Sequence, residues 1–164
     1  MRAEIYEIES CPQGRLAVMP RPRGGNWLKT ELWSLHSLGV SDLVSLLTPP
    51  EEKELDLTLE GDLCREIGLR FRRYPVSDRK IPTQPNFAQL IDALVPVLLQ
   101  GGFVAVHCRA GIGRSSVVAA ALLSRLGVRA SDALAMISAA RGFDVPDTDE
   151  QHDFILSFDQ SPPA

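Results

Sequence analysis

The residues with the most chemistry in this chain share one stretch, F-V-A-V-H-C-R-A-G-I-G-R-S-S, at positions 103–116. Five residues separate Cys108 from Arg114, and Ser115 follows at once. An apolar run of β type at 103–106 leads in, and small and apolar residues at 117–126 lead out at helical spacing. The stretch therefore reads as strand, tight glycine-containing loop, helix. Backbone N–H groups of such a loop point inward and make a nest for an anion. The helix start adds its own unpaired N–H groups and the positive end of its dipole. Gly111 and Gly113 supply backbone angles that other residues resist. A cysteine at the mouth of such a nest is favoured as the thiolate, a nucleophile that needs no adjacent base. Arg114 returns to the loop mouth one turn later, and its planar fork binds two phosphoryl oxygens at once. Ser115 can donate to the thiolate and stabilise it as a leaving group.

H-C-R-A-G-I-G-R-S is similar to the H-C-x5-R-S/T signature of the cysteine-dependent protein tyrosine phosphatase superfamily. The short chain resembles its compact dual-specificity branch, and in layout the cyclin-dependent kinase-associated phosphatases, over residues 20–158. A rhodanese-like loop also holds an anion with a cysteine, but the His before Cys108 and the Ser after Arg114 argue against it. The resemblance implies that Arg109, Ala110, Gly111, Ile112, Gly113 and Arg114 hold the phosphate. His107 is carried along as a further site residue. Asp78, in P-V-S-D-R-K-I-P, stands 108 − 78 = 30 residues before Cys108, between a strand end and a proline-punctuated loop. By resemblance it is the general acid, in a place where such groups are commonly put. Tyrosine-specific relatives carry Q-T-x-x-Q near the C-terminus, whose first Gln positions hydrolytic water. Here the segment reads D-T-D-E-Q: Thr148 and Gln151 match, and Asp147 replaces the first Gln. Gln151 is taken as a helper for the water. Asp147 is expected to point away from the pocket and to serve its loop or the start of the last helix. Some relatives protect the catalytic cysteine with a second one, so a Cys64–Cys108 pair stands beside the plainer reading of Cys64 as a small buried thiol.

The resemblance thus implies a metal-independent protein phosphatase acting on phosphotyrosine, with phosphoserine and phosphothreonine as further substrates, through a phosphocysteine intermediate. Two alternatives stay open. One is a phosphoinositide or inositol-phosphate phosphatase, although lipid-directed loops carry extra Lys and here only Arg109 adds charge. The other is a non-catalytic module that binds phosphoresidues, although nucleophile, arginine, hydroxyl and acid are all present.

The rest of the chain sets the frame. Its 164 residues, 45% hydrophobic and 23% charged, suit one globular domain spanning 1–164. A net charge of −4 speaks against nucleic acid. No apolar run reaches transmembrane length, so no membrane partner is expected. Three cysteines make no disulfide framework and fit a reducing cytoplasm. The scattered histidines suggest no metal site, and no cofactor is implied. A monomer acting on a phosphorylated protein or phosphopeptide is expected.

The elements that must position the site follow from periodicity and punctuation. Strands are expected at 3–8 and 15–19, then a helix capped by Asn26 that buries Leu28, Leu32, Leu35 and Leu38 and stops at Gly39. A central strand at 42–47 precedes Thr48-Pro-Pro-Glu-Glu, whose acids suit a helix start. A helix at 58–67 and a strand at 69–76, with a bulge near Arg72 and Arg73, lead to Asp78. Helices follow at 85–100, after the Cys108 loop, at 131–141 and at the C-terminal end. The fold class is α/β: a mostly parallel central sheet with helices on both faces and the ligand beyond the carboxyl ends of the strands.

Overall fold

The structure, a computed structural model, describes residues 2–83 and 85–160, so the outermost positions of the expected 1–164 domain lie outside the described residues. Five strands form one sheet: β1 (Tyr6–Glu7), β2 (Arg15–Met19), β3 (Asp42–Ser45), β4 (Arg70–Arg73) and β5 (Phe103–His107). Their spatial order is β1-β2-β5-β3-β4. Only the β1–β2 hairpin is antiparallel; β2, β5, β3 and β4 all run the same way. β5 lies in the middle and is buried along its whole length, as expected of an apolar run with no polar face.

The two faces of β5 alternate as a pleat requires. Val104 and Val106 pack with Phe87, Leu94, Val118, Ile137 and Ile155. These come from α4 (Asn86–Leu99), α5 (Arg114–Arg125), α6 (Ala130–Arg141) and α7 (Asp149–Leu156). Phe103 and Ala105 pack instead with Leu28, Leu32, Leu35 and Ile67 of α1 (Leu28–Ser37) and α3 (Glu60–Ile67). The short α2 (Pro49–Glu54) follows β3. α5 is the central helix, with ten of its twelve residues buried. Its Ala119, Ala120 and Ala121 leave room for close packing, and truncating a neighbour such as Leu122 to Ala would cost about 2–5 kcal/mol. Among the described residues no helix is long and apolar enough to cross a membrane.

Because four strands are parallel, their carboxyl ends lie at one edge of the sheet. There the segments after Met19, Ser45, Arg73 and His107 converge. These are the segments that carry Arg21, Glu51, Asp78 and Cys108.

Four local expectations change. The strand expected at 3–8 shrinks to Tyr6–Glu7. Asn26 does not cap α1; it sits inside a 3-10 turn, Gly25–Trp27, and α1 begins at Leu28. β4 has no bulge: Arg70 to Arg73 pair one to one with Asp42 to Ser45. The phase shift at Tyr74 is the strand ending while the Tyr74 and Val76 N–H groups still donate to Ser45 and Leu46 carbonyls. Cys64 belongs to the α1–α3 cluster and Cys108 to the opposite one, which disfavours their pairing.

Candidate active site

β5 delivers His107 and Cys108 to the sheet edge, and α5 starts at Arg114, so the loop between them is closed at both ends by fixed elements. Gly111 has φ +72°, and a Cβ there would meet the backbone carbon of Met19 at 2.5 Å and the nitrogen of Pro20 at 2.7 Å. Only glycine serves. Gly113 is different. Its φ of −91° is open to any residue; what it needs is space, since a Cβ would meet Gln151 Oε1 at 2.8 Å. The Arg21 N–H donates to the Arg109 carbonyl at 3.2 Å and holds the loop from outside. Cys108 is 3% exposed. Its Sγ accepts from the Gly111 N–H at 3.3 Å and lies 3.4 Å from Ser115 Oγ. A loop that turns an N–H toward sulfur will turn the same group toward a phosphoryl oxygen.

Arg114 is fully committed on one edge and meets Asp78 on the other. Nη1 donates to Glu51 Oε1 at 2.7 Å and to the Val76 carbonyl at 2.8 Å. Nη2 donates to Glu51 Oε2 at 2.9 Å. That fork uses the end of the guanidinium. On the side edge, Nη2 lies 3.2 Å from Asp78 Oδ1, and Nε is buried with no partner among the described residues. A buried N–H donor left unmet is costly, and this one borders the cavity that holds Cys108. Burial works against the Arg114 charge, but the Glu51 hydrogen bonds and the negative charges of Cys108, Glu51 and Asp78 outweigh it and hold its pKa above the ordinary value. For Glu51, burial pushes upward; the Arg114 bonds and the Thr48 N–H push harder, and its pKa falls below the ordinary 4.5. Glu51 is also the third residue of α2, where its Oε1 accepts the Thr48 N–H at 3.0 Å in a capping box.

Beneath the loop, His107 and Glu60 are both fully buried, with Nε2 and Oε2 2.7 Å apart. His107 Nδ1 lies 3.2 Å from the Cys108 carbonyl, which can only accept, so this contact is a hydrogen bond in the tautomer with its proton on Nδ1. Because the peptide is planar and trans, a carbonyl tied back to His107 sends the Arg109 N–H the opposite way. His107 thus orients the first N–H of the nest, and Glu60 at the start of α3 orients His107.

Asp78 stands in a turn closed by the Lys80 N–H on the Ser77 carbonyl at 3.0 Å. Its side chain is 57% exposed and reaches Arg114. Gln151, fully buried, accepts the N–H groups of Asp147 and Thr148 on Oε1 at 3.2 and 3.1 Å, and its Nε2 donates to the Lys80 carbonyl at 3.2 Å. Asp147 does not point away, and it is not the cap of α7. Thr148 caps that helix, while Asp147 lines the cavity and pairs with Arg79 at 3.0 Å. The reason is charge: an acid at this edge finds the cation that follows Asp78.

The cavity itself measures ≈ 110 Å³ and is lined by Asp78, Cys108, Arg109, Ala110, Ile112, Gly113, Arg114, Asp147 and Gln151. Of the other site residues expected from sequence, Gly111 and Ser115 contact Cys108 Sγ from outside that lining and His107 is buried. Three arginines of the surrounding loops are ion-paired. Arg109 pairs with Glu54 at 3.0 Å, Arg23 with Glu31 at 2.8 Å and Arg79 with Asp147. Cys64 is buried, and burial pushes its thiol up to about 12.

Sequence reading missed Glu51 and Glu60. Glu51 had a signal, the T-P-P-E capping pattern after β3. Glu60 had none, since an acid in a helix's first turn normally faces water.

Comparison with known proteins agrees with this geometry. The human protein "Cyclin-dependent kinase inhibitor 3" is 25% identical over 126 residues, which is 76% of this chain and 59% of that one. The chain thus spans about three-fifths of the length of the curated relatives it matches. Kinase associated phosphatase, solved with its catalytic-site cysteine replaced by serine, superposes with a TM-score of 0.88 at 21% identity, over 100% of this chain and 98% of that one. PTPMT1 in complex with PI(5)P gives 0.72 at 19% identity, over 88% and 90%. At such identities these structures establish the fold. A family model described as "Polymorphic toxin system, DSP-PTPase phosphatase" matches residues 17–128, a span that runs from β2 to the end of α5 and includes Asp78, Cys108 and Arg114. The chain belongs to this family of DSP-PTPase phosphatases.

Proposed function

We propose that the chain is a metal-independent protein phosphatase that works through a phosphocysteine. The observation that carries this reading is the buried Arg114 Nε, unpartnered among the described residues, at the end of a loop whose Gly111 N–H turns toward Cys108 Sγ. In the first step the Cys108 thiolate attacks phosphorus, and the bond to the ester oxygen breaks. Arg114 and the loop N–H groups take up charge on the equatorial oxygens. Asp78 gives its proton to the leaving oxygen. In the second step water attacks phosphorus, Asp78 takes the water's proton, and the S–P bond breaks to release inorganic phosphate and the thiolate. Ser115 Oγ donates to that departing sulfur.

Substrate size and charge favour a phosphorylated protein side chain, phosphotyrosine first. A cavity of ≈ 110 Å³ is far below the roughly 300–1,000 Å³ that encloses a whole small ligand. It takes a phosphoryl head and leaves the rest outside. Arg109 and Arg79 are already paired with Glu54 and Asp147, which leaves less positive charge for a polyphosphorylated inositol. The partner is then a phosphoprotein. The test is hydrolysis of p-nitrophenyl phosphate in a chelator, by the parent chain and by Cys108→Ser. The expected result is turnover by the parent only, with phosphate binding kept in the variant. Turnover that needs added metal, or that survives in Cys108→Ser, would overturn the reading.

A further inference from the structure

Asp147 takes the place of an amide in the resembled pattern, and its partner is the residue next to the acid. Arg79 has φ +65°, the left-handed region that a side chain of this kind enters at a cost. From there its Nη1 donates to Asp147 Oδ2 at 3.0 Å, across 68 residues of sequence. One residue on, the Lys80 carbonyl accepts from Gln151 Nε2. Gln151 Oε1 in turn holds the Asp147 and Thr148 N–H groups. So the start of α7 grips two consecutive residues of the turn that carries Asp78. The pairing also cancels two charges. Unpaired, Asp147 would line the cavity as a carboxylate facing the incoming phosphoryl dianion, and Arg79 would be a loose cation beside Asp78.

We propose that Asp147 is a positioning residue for the acid: through Arg79 it holds the turn so that Asp78 stands over Cys108 and Arg114. This rests on the phosphatase reading of the same site. The two side chains are 62% and 42% exposed, so the clasp has the strength of a surface ion pair and its effect is graded.

The experiment compares Asp147→Ala, Arg79→Gln and the charge swap Arg79→Asp with Asp147→Arg. Aspartate tolerates the left-handed region better than most residues, so the swap adds no strain at 79. Two aryl phosphates are used, one with a good and one with a poor leaving phenol, and inhibition by inorganic phosphate reports binding without catalysis. Each single variant is expected to lower kcat/KM for the poor leaving group by about threefold to fivefold, the span of an exposed ion pair. Phosphate inhibition should not weaken in Asp147→Ala, which removes the cavity carboxylate, and should weaken in Arg79→Gln, which leaves that carboxylate unpaired; in both, the good leaving group should lose less than the poor one, and the swap should restore the parent ratio. An unchanged ratio, an equal loss on both substrates, weakened phosphate inhibition in Asp147→Ala or a swap without rescue would each overturn the clasp. If the parent turns over neither substrate, the phosphatase reading fails and the clasp with it. A parent active through Cys108, with an unchanged ratio in the variants, sinks the clasp alone.

Discussion

The loop from Cys108 to Gly113 and the turn around Asp78 face each other across one cavity, yet different forces hold them. The first is locked from all sides. Gly111 lies against the backbone of Met19 and Pro20, His107 and Glu60 are buried beneath it, and the Arg114 side chain is 1% exposed. The second rests mainly on contacts near water, the Arg79–Asp147 pair and the Tyr74 hydroxyl donating to the Thr83 carbonyl at 3.0 Å, with the part-buried Gln151–Lys80 bond behind them. An exposed ion pair contributes about 0.2–1 kcal/mol, whereas a buried one broken on one side costs about 3–5. The labour is divided accordingly. A nest that must present several N–H groups to one anion tolerates no play. On the proposed mechanism, the acid sits on a segment that can open at small cost. Substitutions in the nest should therefore act as all or nothing, and those in the turn by degrees.

Arg114→Lys gives the largest expected effect. An ammonium cannot serve Glu51 with one edge and a phosphoryl group with the other. Loss of an arginine on a transferring phosphoryl group costs about 10³–10⁵ in kcat. Steady-state kinetics within tenfold of the parent would erase the contrast between the two loops. Asp78→Asn comes next, at about 10²–10⁴ on a poor leaving group and less on an activated aryl ester. If both substrates fall equally in that variant, another residue is the acid.

Glu51→Gln sharpens the comparison from the stability side. It should cost about 1–3 kcal/mol at neutral pH, the scale of charged hydrogen bonds lost from a buried group. Glu51 has a lowered pKa in the folded chain, so its contribution is complete above the ordinary value of 4.5 and fades as pH falls through the lower folded value. Chemical denaturation of parent and variant should therefore converge below about pH 4.5. A gap that stays constant into acid would mean that the Glu51 charge is not what holds Arg114.

The locked loop was legible because strand, turn, helix and reacting groups are contiguous from Phe103 to Arg125. Asp78 could be placed by its spacing and by the prolines around it, but not its approach to Arg114, which depends on where β4 and β5 end. The acids after Thr48 were read as helix-start residues; the capping box bears that out. The sequence could not reveal that one of them shares its carboxylate with Arg114. Glu60 was invisible because burial is decided by the partner, His107, on another element. At Arg72 and Arg73 the change of phase looked like a bulge, since periodicity alone does not distinguish a bulge from a strand that stops. Asp147 was expected to turn away on grounds of repulsion, and the cation that removes the repulsion lies in a distant turn.

The central claim is that phosphate passes through the sulfur of Cys108, and it can be tested directly. Asp78→Asn is mixed with an activated aryl phosphate, whose phenol leaves without an acid while the second step lacks its base. The mixture is denatured within the first turnovers, digested, and mass-analysed for phosphate on the peptide that contains Cys108. The account predicts phosphate on that cysteine, and none when Cys108→Ser is added. Phosphate on any other residue, or turnover with an unmodified Cys108 peptide, would contradict it.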